Sequence, residues 1–311
     1  MDSNILQKLT SADYLHKNLT ALKQEIKGQW WQLTQPNTPD PIFIIGCSRS
    51  GTTVTFETLG ESNEVVSLGY ETPQLWHQLH GPAHNQWHSE AATAEDAQPA
   101  HRDAYFKHYY QRLSHGQILD KTCINILRLP YLYQLFPNAK FVYLYRNGRD
   151  NISSLMDGWR NNNHFGLNQF LGESPEPVNI EQGEFDQWHF FLPPQWRNYN
   201  QSSLAEVCAM QWLTANSLAL EAKQIIPAQQ WIELKYEQFI AQPVAQISRV
   251  CQQLELSFNP QMQQHCEHLS SRPTSMVSGE PEPEKWKKRN YDAIVSIQDT
   301  IAPLMQKLGY E

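Results

Sequence analysis

No apolar run in this chain approaches the roughly 20 residues that a membrane-spanning helix needs, so no transmembrane span is expected. Basic excess is missing as well. The chain has 24 Lys and Arg against 32 Asp and Glu, a formal net charge of −8, which speaks against nucleic acid as a general partner. Cysteine is scarce: Cys47, Cys123, Cys208, Cys251 and Cys266 are odd in number and form no C-x-x-C pair. A disulfide framework and a cysteine zinc site are thereby excluded, leaving reduced structural thiols. The first residues lack the basic, apolar and small-residue pattern of a secretory signal, which makes a cytoplasmic protein the expectation. No internal repeat is present. What is there is ordinary for a globular enzyme: 40% apolar and 18% charged residues in 311, enough for one large α/β domain or two modest ones.

One stretch carries most of the functional information. Ile42 to Ile45 is a short apolar run that reads as a buried parallel strand. Gly46 to Gly51 is a small-residue turn, and Thr52 to Leu59 opens a helix. Strand, Gly/Ser loop and helix N-terminus together form an anion site, since backbone N–H groups converge there and the helix dipole favours negative charge. The phosphate-loop pattern is G-x-x-x-x-G-K-[ST]. Gly46, Gly51 and Thr53 keep it, but Thr52 stands where the lysine belongs, and the cation has moved to Arg49. A nucleoside triphosphatase needs that lysine on the terminal phosphates and its Ser/Thr on magnesium.

A second run, Phe141 to Tyr145, is again apolar and β-favouring, and leads into Arg146-Asn147-Gly148-Arg149-Asp150-Asn151-Ile152-Ser153-Ser154. Arg146 sits at a strand end and Ser154 eight residues later, inside the following helix. Arg offers a planar fork of donors to a phosphate, and Ser adds a neutral hydroxyl. Between the two motifs, Ile118-Leu119-Asp120-Lys121-Thr122 reads as a strand end that carries a lysine.

These residues resemble the sulfotransferases that use 3′-phosphoadenosine 5′-phosphosulfate (PAPS). The Arg49-Ser50-Gly51-Thr52-Thr53 loop is similar to their 5′-phosphosulfate loop, and Arg146 with Ser154 to their 3′-phosphate clamp. Lys121 matches a lysine near the transferring sulfuryl group. The resemblance spans about residues 40 to 290 and implies an α/β fold, a central parallel sheet flanked by helices in a P-loop-like arrangement. It also implies PAPS as co-substrate, PAP (3′-phosphoadenosine 5′-phosphate) as product, and no metal. Members acting on small phenols and steroids carry a histidine base two residues after the lysine; here that position is Cys123. Gly69-Tyr70-Glu71-Thr72-Pro73 resembles instead the Gly-Glu-Glu-Thr segment of the tyrosylprotein sulfotransferases, which makes Glu71 the candidate base. In that branch the next residue is an arginine used with acidic peptides; here it is Pro73, which argues against such substrates. The expected catalytic set is therefore Glu71, Lys121 and Arg49. By the same resemblance Tyr236, at the end of a late strand, would lie near the adenine. Lys285 and Lys287, in a basic Trp-containing loop, would close on the 3′-phosphate.

The remaining segments give a frame. Residues 1–35 read as a helical extension with Leu6, Leu9, Tyr14, Leu19, Leu22 and Ile26 as core contacts, and 36–311 as a single domain. Leu127 to Phe136, Leu204 to Ala222 and Glu237 to Leu254 read as helices, and Trp231 to Tyr236 as a strand. Ser271 to Pro283 has the composition of a mobile flap. His77, His80, His84 and His88 follow helical spacing, but Gly81-Pro82 interrupts any helix carrying all four, and acidic or cysteine partners at metal-ligand spacing are missing. They are read as reserve base candidates, within an acceptor lid drawn from 77–101 and 160–200. The acceptor would be a small molecule, a lipid or polyketide alcohol, a sugar or a phenol. Two alternatives stay open: a phosphate-loop small-molecule kinase, and a non-catalytic nucleotide-binding protein. Oligomeric state is not legible.

Overall fold

The computed structural model describes residues 12–113, 115–161, 164–269 and 283–311. The elements run α1 (Ala12–Thr34), β1 (Ile42–Gly46), α2 (Thr52–Leu59), β2 (Val65–Val66), α3 (Pro73–His80), α4 (Pro99–Arg112), β3 (Gln117–Asp120), α5 (Leu129–Leu135), β4 (Lys140–Tyr145) and α6 (Gly148–Trp159). There follow α7 (Leu204–Ala222), β5 (Trp231–Lys235), α8 (Tyr236–Ala241), α9 (Pro243–Leu254), α10 (Pro260–Glu267), α11 (Trp286–Arg289), α12 (Tyr291–Ser296) and α13 (Gln298–Lys307). Single helical turns punctuate the long stretch from 160 to 203.

The five strands form one parallel sheet in the order β2-β3-β1-β4-β5. β1 is central and buried throughout. Its side chains alternate between faces, as the strand period requires. Ile42 and Ile44 join Val142, Leu144, Ile232 and Leu234 in an aliphatic core. Phe43 and Ile45 join Phe141, Tyr143 and Trp231 in an aromatic one. Helices cover both faces, as expected for parallel strands. From β1 the chain runs out to β2 at one edge, returns through β3 and crosses past β1 to β4 and β5 on the other side, and a crevice opens at the carboxyl ends of strands where the direction of winding reverses.

Local sequence explains most element ends. α7 spans the expected residues, with a capping box at its start: Ser203 Oγ accepts from Glu206 N (3.4 Å) and Glu206 Oε2 from Ser203 N (2.9 Å). The single helix expected over 237–254 is two, because Pro243 cannot donate to the preceding turn and restarts the helix as α9. Likewise Pro130 holds the start of α5 at Leu129.

The N-terminal expectation needs correction. α1 docks on α4 through buried Gly28 and Trp31, the Trp31 ring lying 6.1 Å from Phe106 and 5.5 Å from Tyr110. A Cβ on Gly28 would press on the end of the Gln111 side chain, so glycine eases this close approach. Leu19, Leu22 and Ile26, expected in the core, point to solvent on the opposite face. Leu6, Leu9 and the side chain of Tyr14 lie outside the described residues, as does nearly all of the flap expected over 271–283.

Candidate active site

A cavity of about 990 Å³ opens at the carboxyl ends of the strands. Its floor is the turn after β1. Arg49 (φ 70°) and Gly51 (φ 104°) both adopt left-handed backbone there, a conformation that turns successive N–H groups toward one point. Gly51 is required twice over. Its φ favours glycine, and a Cβ would sit 2.6 Å from the Tyr236 ring. α2 begins at Thr52, so its first N–H groups lack intrahelical acceptors and face the same turn. Thr52 and Thr53 line the cavity. Ser50 differs: it is fully buried, its Oγ has no hydrogen-bond partner among the described residues, and it packs against the loop's underside near Gly46.

The second motif closes on the first. Arg49 Nε donates to Ser154 Oγ on α6 (3.3 Å), and Arg146 Nη1 donates to the Arg49 carbonyl (3.2 Å). The Arg146 guanidinium stacks 4.5 Å from the Tyr236 ring centroid, a cation–π contact that fixes its plane. Two guanidiniums are thus held side by side. Burial and the Arg146 charge lower the Arg49 pKa, with Asp157 and Tyr236 opposing. Such a pair favours an anion between its members. Buried loop polar atoms, a glycine cradle and paired arginines together fit an anionic, phosphate-bearing ligand.

Lys121 follows β3 and is buried at the cavity wall, where its Nζ donates to Glu71 Oε1. Glu71 Oε2 accepts from Cys123 N at 2.8 Å. Burial pushes the Glu71 carboxyl up, but the Lys121 charge and hydrogen bond, with the Cys123 N–H, outweigh it, and the net pKa is lowered. Cys123 occupies the position of the alternative base. Its thiol is pushed well up, by burial and then by the Glu71 and Glu90 charges, and it donates to Phe190 O (3.3 Å). A neutral thiol that serves as donor cannot take a proton.

Of the four spaced histidines, His77 alone lines the cavity; its Nε2 lies 2.5 Å from Glu90 Oε1. His80 and His84 stack on each other, ring centroids 5.5 Å apart, on the far side of α3 near Tyr131. Among the described residues, no group of three or more His, Cys, Asp and Glu is placed to hold a metal ion. Within 160–200, Phe165, Leu167, Phe170 and Phe190 reach the cavity, whereas Trp188 and Trp196 are core.

The basic Trp-containing loop docks on α6. Glu284 N donates to Asp150 Oδ2 (3.0 Å), and Asn290 Nδ2 donates to Ser153 Oγ (2.8 Å). Lys285 lines the cavity; Lys287 turns away, paired with Glu284 at 2.6 Å. The reading from sequence missed two cations that do line it, Arg160 and Arg289. Arg289 pairs with Asp157 (3.0 Å), and Arg160 donates to Asn290 Oδ1 (2.9 Å). Arg289 ends the same basic run that supplied Lys285, a signal present in the sequence. Arg160 ends α6, and only the fold brings it in.

The sulfotransferase family profile matches residues 41–189 and 182–260, covering all four strand ends that build the cavity. Protein-tyrosine sulfotransferase A of Caenorhabditis elegans is 22% identical over 293 residues, 87% of this chain and 67% of that one. Among solved structures, the sulfotransferase STF9 of Mycobacterium avium superposes with a TM-score of 0.53 at 12% identity, over 92% of this chain and 82% of that one. A sulfotransferase from Alicyclobacillus acidocaldarius gives 0.49 at 13%, over 89% and 98%. With the profile matching well over half of its length, and its phosphate loop, strand-end arginine and lysine converging on one crevice, this chain belongs to the sulfotransferase family.

Proposed function

We propose that this sulfotransferase takes its sulfuryl group from PAPS and passes it to the hydroxyl of an uncharged small-molecule, lipid or carbohydrate acceptor, with Glu71 as general base. The observation that carries this reading is the Glu71–Lys121 pair on the wall of a cavity floored by the phosphate loop. The donor supplies an activated S–O bond: the acceptor oxygen bonds to sulfur as its proton passes to Glu71, the bond from sulfur to the bridging oxygen breaks, and PAP leaves carrying that oxygen on its 5′-phosphate. Every other requirement falls on this chain. The loop N–H groups with Thr52 and Thr53 hold the 5′ end, and Arg146 with Ser154 selects the 3′-phosphate, the feature that separates this donor from ATP. Lys285 adds charge at the rim. Arg49 and Lys121 neutralise charge that grows on the sulfuryl and bridging oxygens.

Proton removal depends on the same lysine. In the resting pair Lys121 holds Glu71 ionised but weakly basic. Once Lys121 turns to an anionic donor, the burial of Glu71 is no longer offset to the same degree, and its basicity rises toward what proton abstraction needs. The base is thereby strengthened only when the donor is in place. The acceptor wall of Tyr70, Ile124, Phe165, Leu167, Phe170 and Phe190 is aromatic and aliphatic, and Pro73 stands where an acidic-peptide reader would carry arginine. That combination suits an apolar or neutral acceptor. A phenol, the group named in its protein-tyrosine relative, fits the class without the acidic flanks.

Calorimetry without metal tests the donor. PAP should bind at least tenfold more tightly than ADP, and Arg146→Ala should remove that preference, a loss of about 1.5–3 kcal/mol for a charge-assisted phosphate contact. Preference for ATP with magnesium would overturn the reading and favour a kinase.

A further inference from the structure

The exposed face of α1 has no use in the chemistry above, yet it carries five large apolar side chains. Leu19, Leu22, Ile26, Trp30 and Leu33 are 56%, 53%, 58%, 57% and 81% exposed. At about 100° per residue they fall within an arc of about 80°, opposite the Gly28 and Trp31 face that docks on α4. Single exposed apolar residues are ordinary; five in one stripe about 21 Å long are not.

We infer that this stripe is the self-association surface of the protein, pairing α1 with α1 of a second copy in antiparallel orientation. Three observations select that occupant. First, the spacing is palindromic. The intervals 3, 4, 4 and 3 read the same in both directions about Ile26, so a two-fold axis at Ile26 sets Ile26 against Ile26, Leu22 against Trp30 and Leu19 against Leu33. An isologous contact requires this self-complementarity. A 3-4-4 spacing also stays on one face of a nearly straight helix, so the stripe does not wind away from its partner. Second, the area suffices. At roughly 100 Å² for each side chain, two copies would bury on the order of 1,000 Å², where specific interfaces begin. Third, the charge pattern disfavours a lipid surface. The described part of α1 carries Lys17, Lys23 and Lys27 against Asp13 and Glu25, and Lys27 donates to the Leu113 carbonyl (3.0 Å). An interfacial helix needs a strongly basic polar face, whereas here the few lysines are interspersed with acidic residues and Lys27 is engaged with the Leu113 carbonyl.

Sedimentation equilibrium on the full chain tests this. Wild type should be dimeric at about 10 µM, and the pair Leu22→Glu with Ile26→Glu should weaken association at least a hundredfold, about 2.7 kcal/mol. Circular dichroism and PAP binding should stay as in wild type, because both positions are solvent-exposed and remote from the cavity. If the double variant fails to fold, Leu33→Arg, at the most exposed position, replaces it with the same expected direction. Orientation is read by mixing Leu19→Cys with Leu33→Cys chains under mild oxidation: mixed disulfides support the antiparallel register, and like-with-like disulfides overturn it. A monomeric wild type at about 100 µM overturns the proposal, as does a dimer indifferent to these substitutions. A monomer that binds anionic vesicles through Leu22 and Ile26 would assign the stripe to a membrane instead.

Discussion

The two ends of the cavity are built on different principles. The end proposed to hold the donor hangs on strand termini. Arg49, Lys121, Arg146 and Tyr236 each lie within three residues of the last residue of β1, β3, β4 or β5, so hydrogen-bonded sheet fixes their backbone. The end proposed for the acceptor rests mainly on irregular segments: the turn before α3, His77 of α3 paired with Glu90, and Phe165 to Phe190 in a long irregular stretch. Phosphate groups are invariant and demand fixed partners, so under the proposed function the donor end would use charge-assisted contacts on rigid elements. An acceptor pocket serves by shape and apolar cover, which loops supply and which tolerates variation. Substitutions at the donor end should therefore cost rate or donor affinity steeply, and those at the acceptor end modestly.

Glu71 and Lys121 sit where the two ends meet, and their loss should be the largest effect. Glu71→Gln keeps the shape and the contact with Cys123 N but removes the proposed base; kcat should fall by about 10²–10⁴-fold while PAP binds as in wild type. An unchanged kcat would remove Glu71 from the mechanism and make His77 the next candidate. Lys121→Met gives the complementary reading. With its cation gone, burial dominates and the Glu71 pKa rises, so the acid limb of kcat/KM must move to higher pH. A shift to lower pH, or none, would mean that the limb belongs to another group.

A second test lies within the rigid end. Asp120 closes β3 and is buried, accepting from Thr122 Oγ1 (2.9 Å) and Tyr105 OH (3.2 Å). Burial raises its pKa from 3.8 to about 6, with the neighbouring hydroxyls partly opposing. A carboxyl raised in the fold favours the protonated folded state. Its contribution is complete below the unfolded value and is lost as pH rises through about 6. Asp120→Asn should thus leave stability nearly unchanged near pH 4 and raise it by on the order of 2 kcal/mol near pH 8. Denaturant unfolding at both pH values checks the sign, and a loss at the higher pH would show that the ionised carboxylate is needed where it stands.

The contrast between the two ends also explains what was legible beforehand. Strand ends show in sequence as short apolar runs followed by a charged or glycine-rich turn, and those around Gly46, Lys121, Arg146 and Tyr236 could be placed without coordinates. Nothing comparable marks the acceptor end. His80 and His84 have the same spacing signal as His77, yet of the three only His77 lines the cavity: His80 on the same helix packs by Tyr131, and after Gly81 ends the helix His84 stacks back on His80. Trp188 and Phe190 are two residues apart, one core and one wall, in a segment without a period to read. Arg160 enters through the docking of the loop at 284–290, a contact between residues about 130 apart. On α1 the pattern was visible but its direction was not: two opposite faces of one helix each carry apolar residues, and it is the face with Gly28 and Trp31 that docks on α4.

The smallest expected effect is the one that most directly probes the acceptor end. Phe165 stacks on Phe190 (centroids 4.6 Å apart) and lies 5.7 Å from the Arg49 guanidinium, so it touches both ends of the cavity. If its main role is cover for the acceptor, Phe165→Ala should raise the acceptor KM about three- to tenfold, and leave PAP affinity within about twofold, since a partly exposed ring at a wall contributes about 1 kcal/mol. Phe190→Ala should act in the same direction, and the double variant should fall short of the sum because the two rings share one contact. If PAP affinity instead drops with the acceptor KM unchanged, Phe165 serves to hold Arg49 in place, and the boundary between the rigid and the adaptable end moves one residue further into the loop.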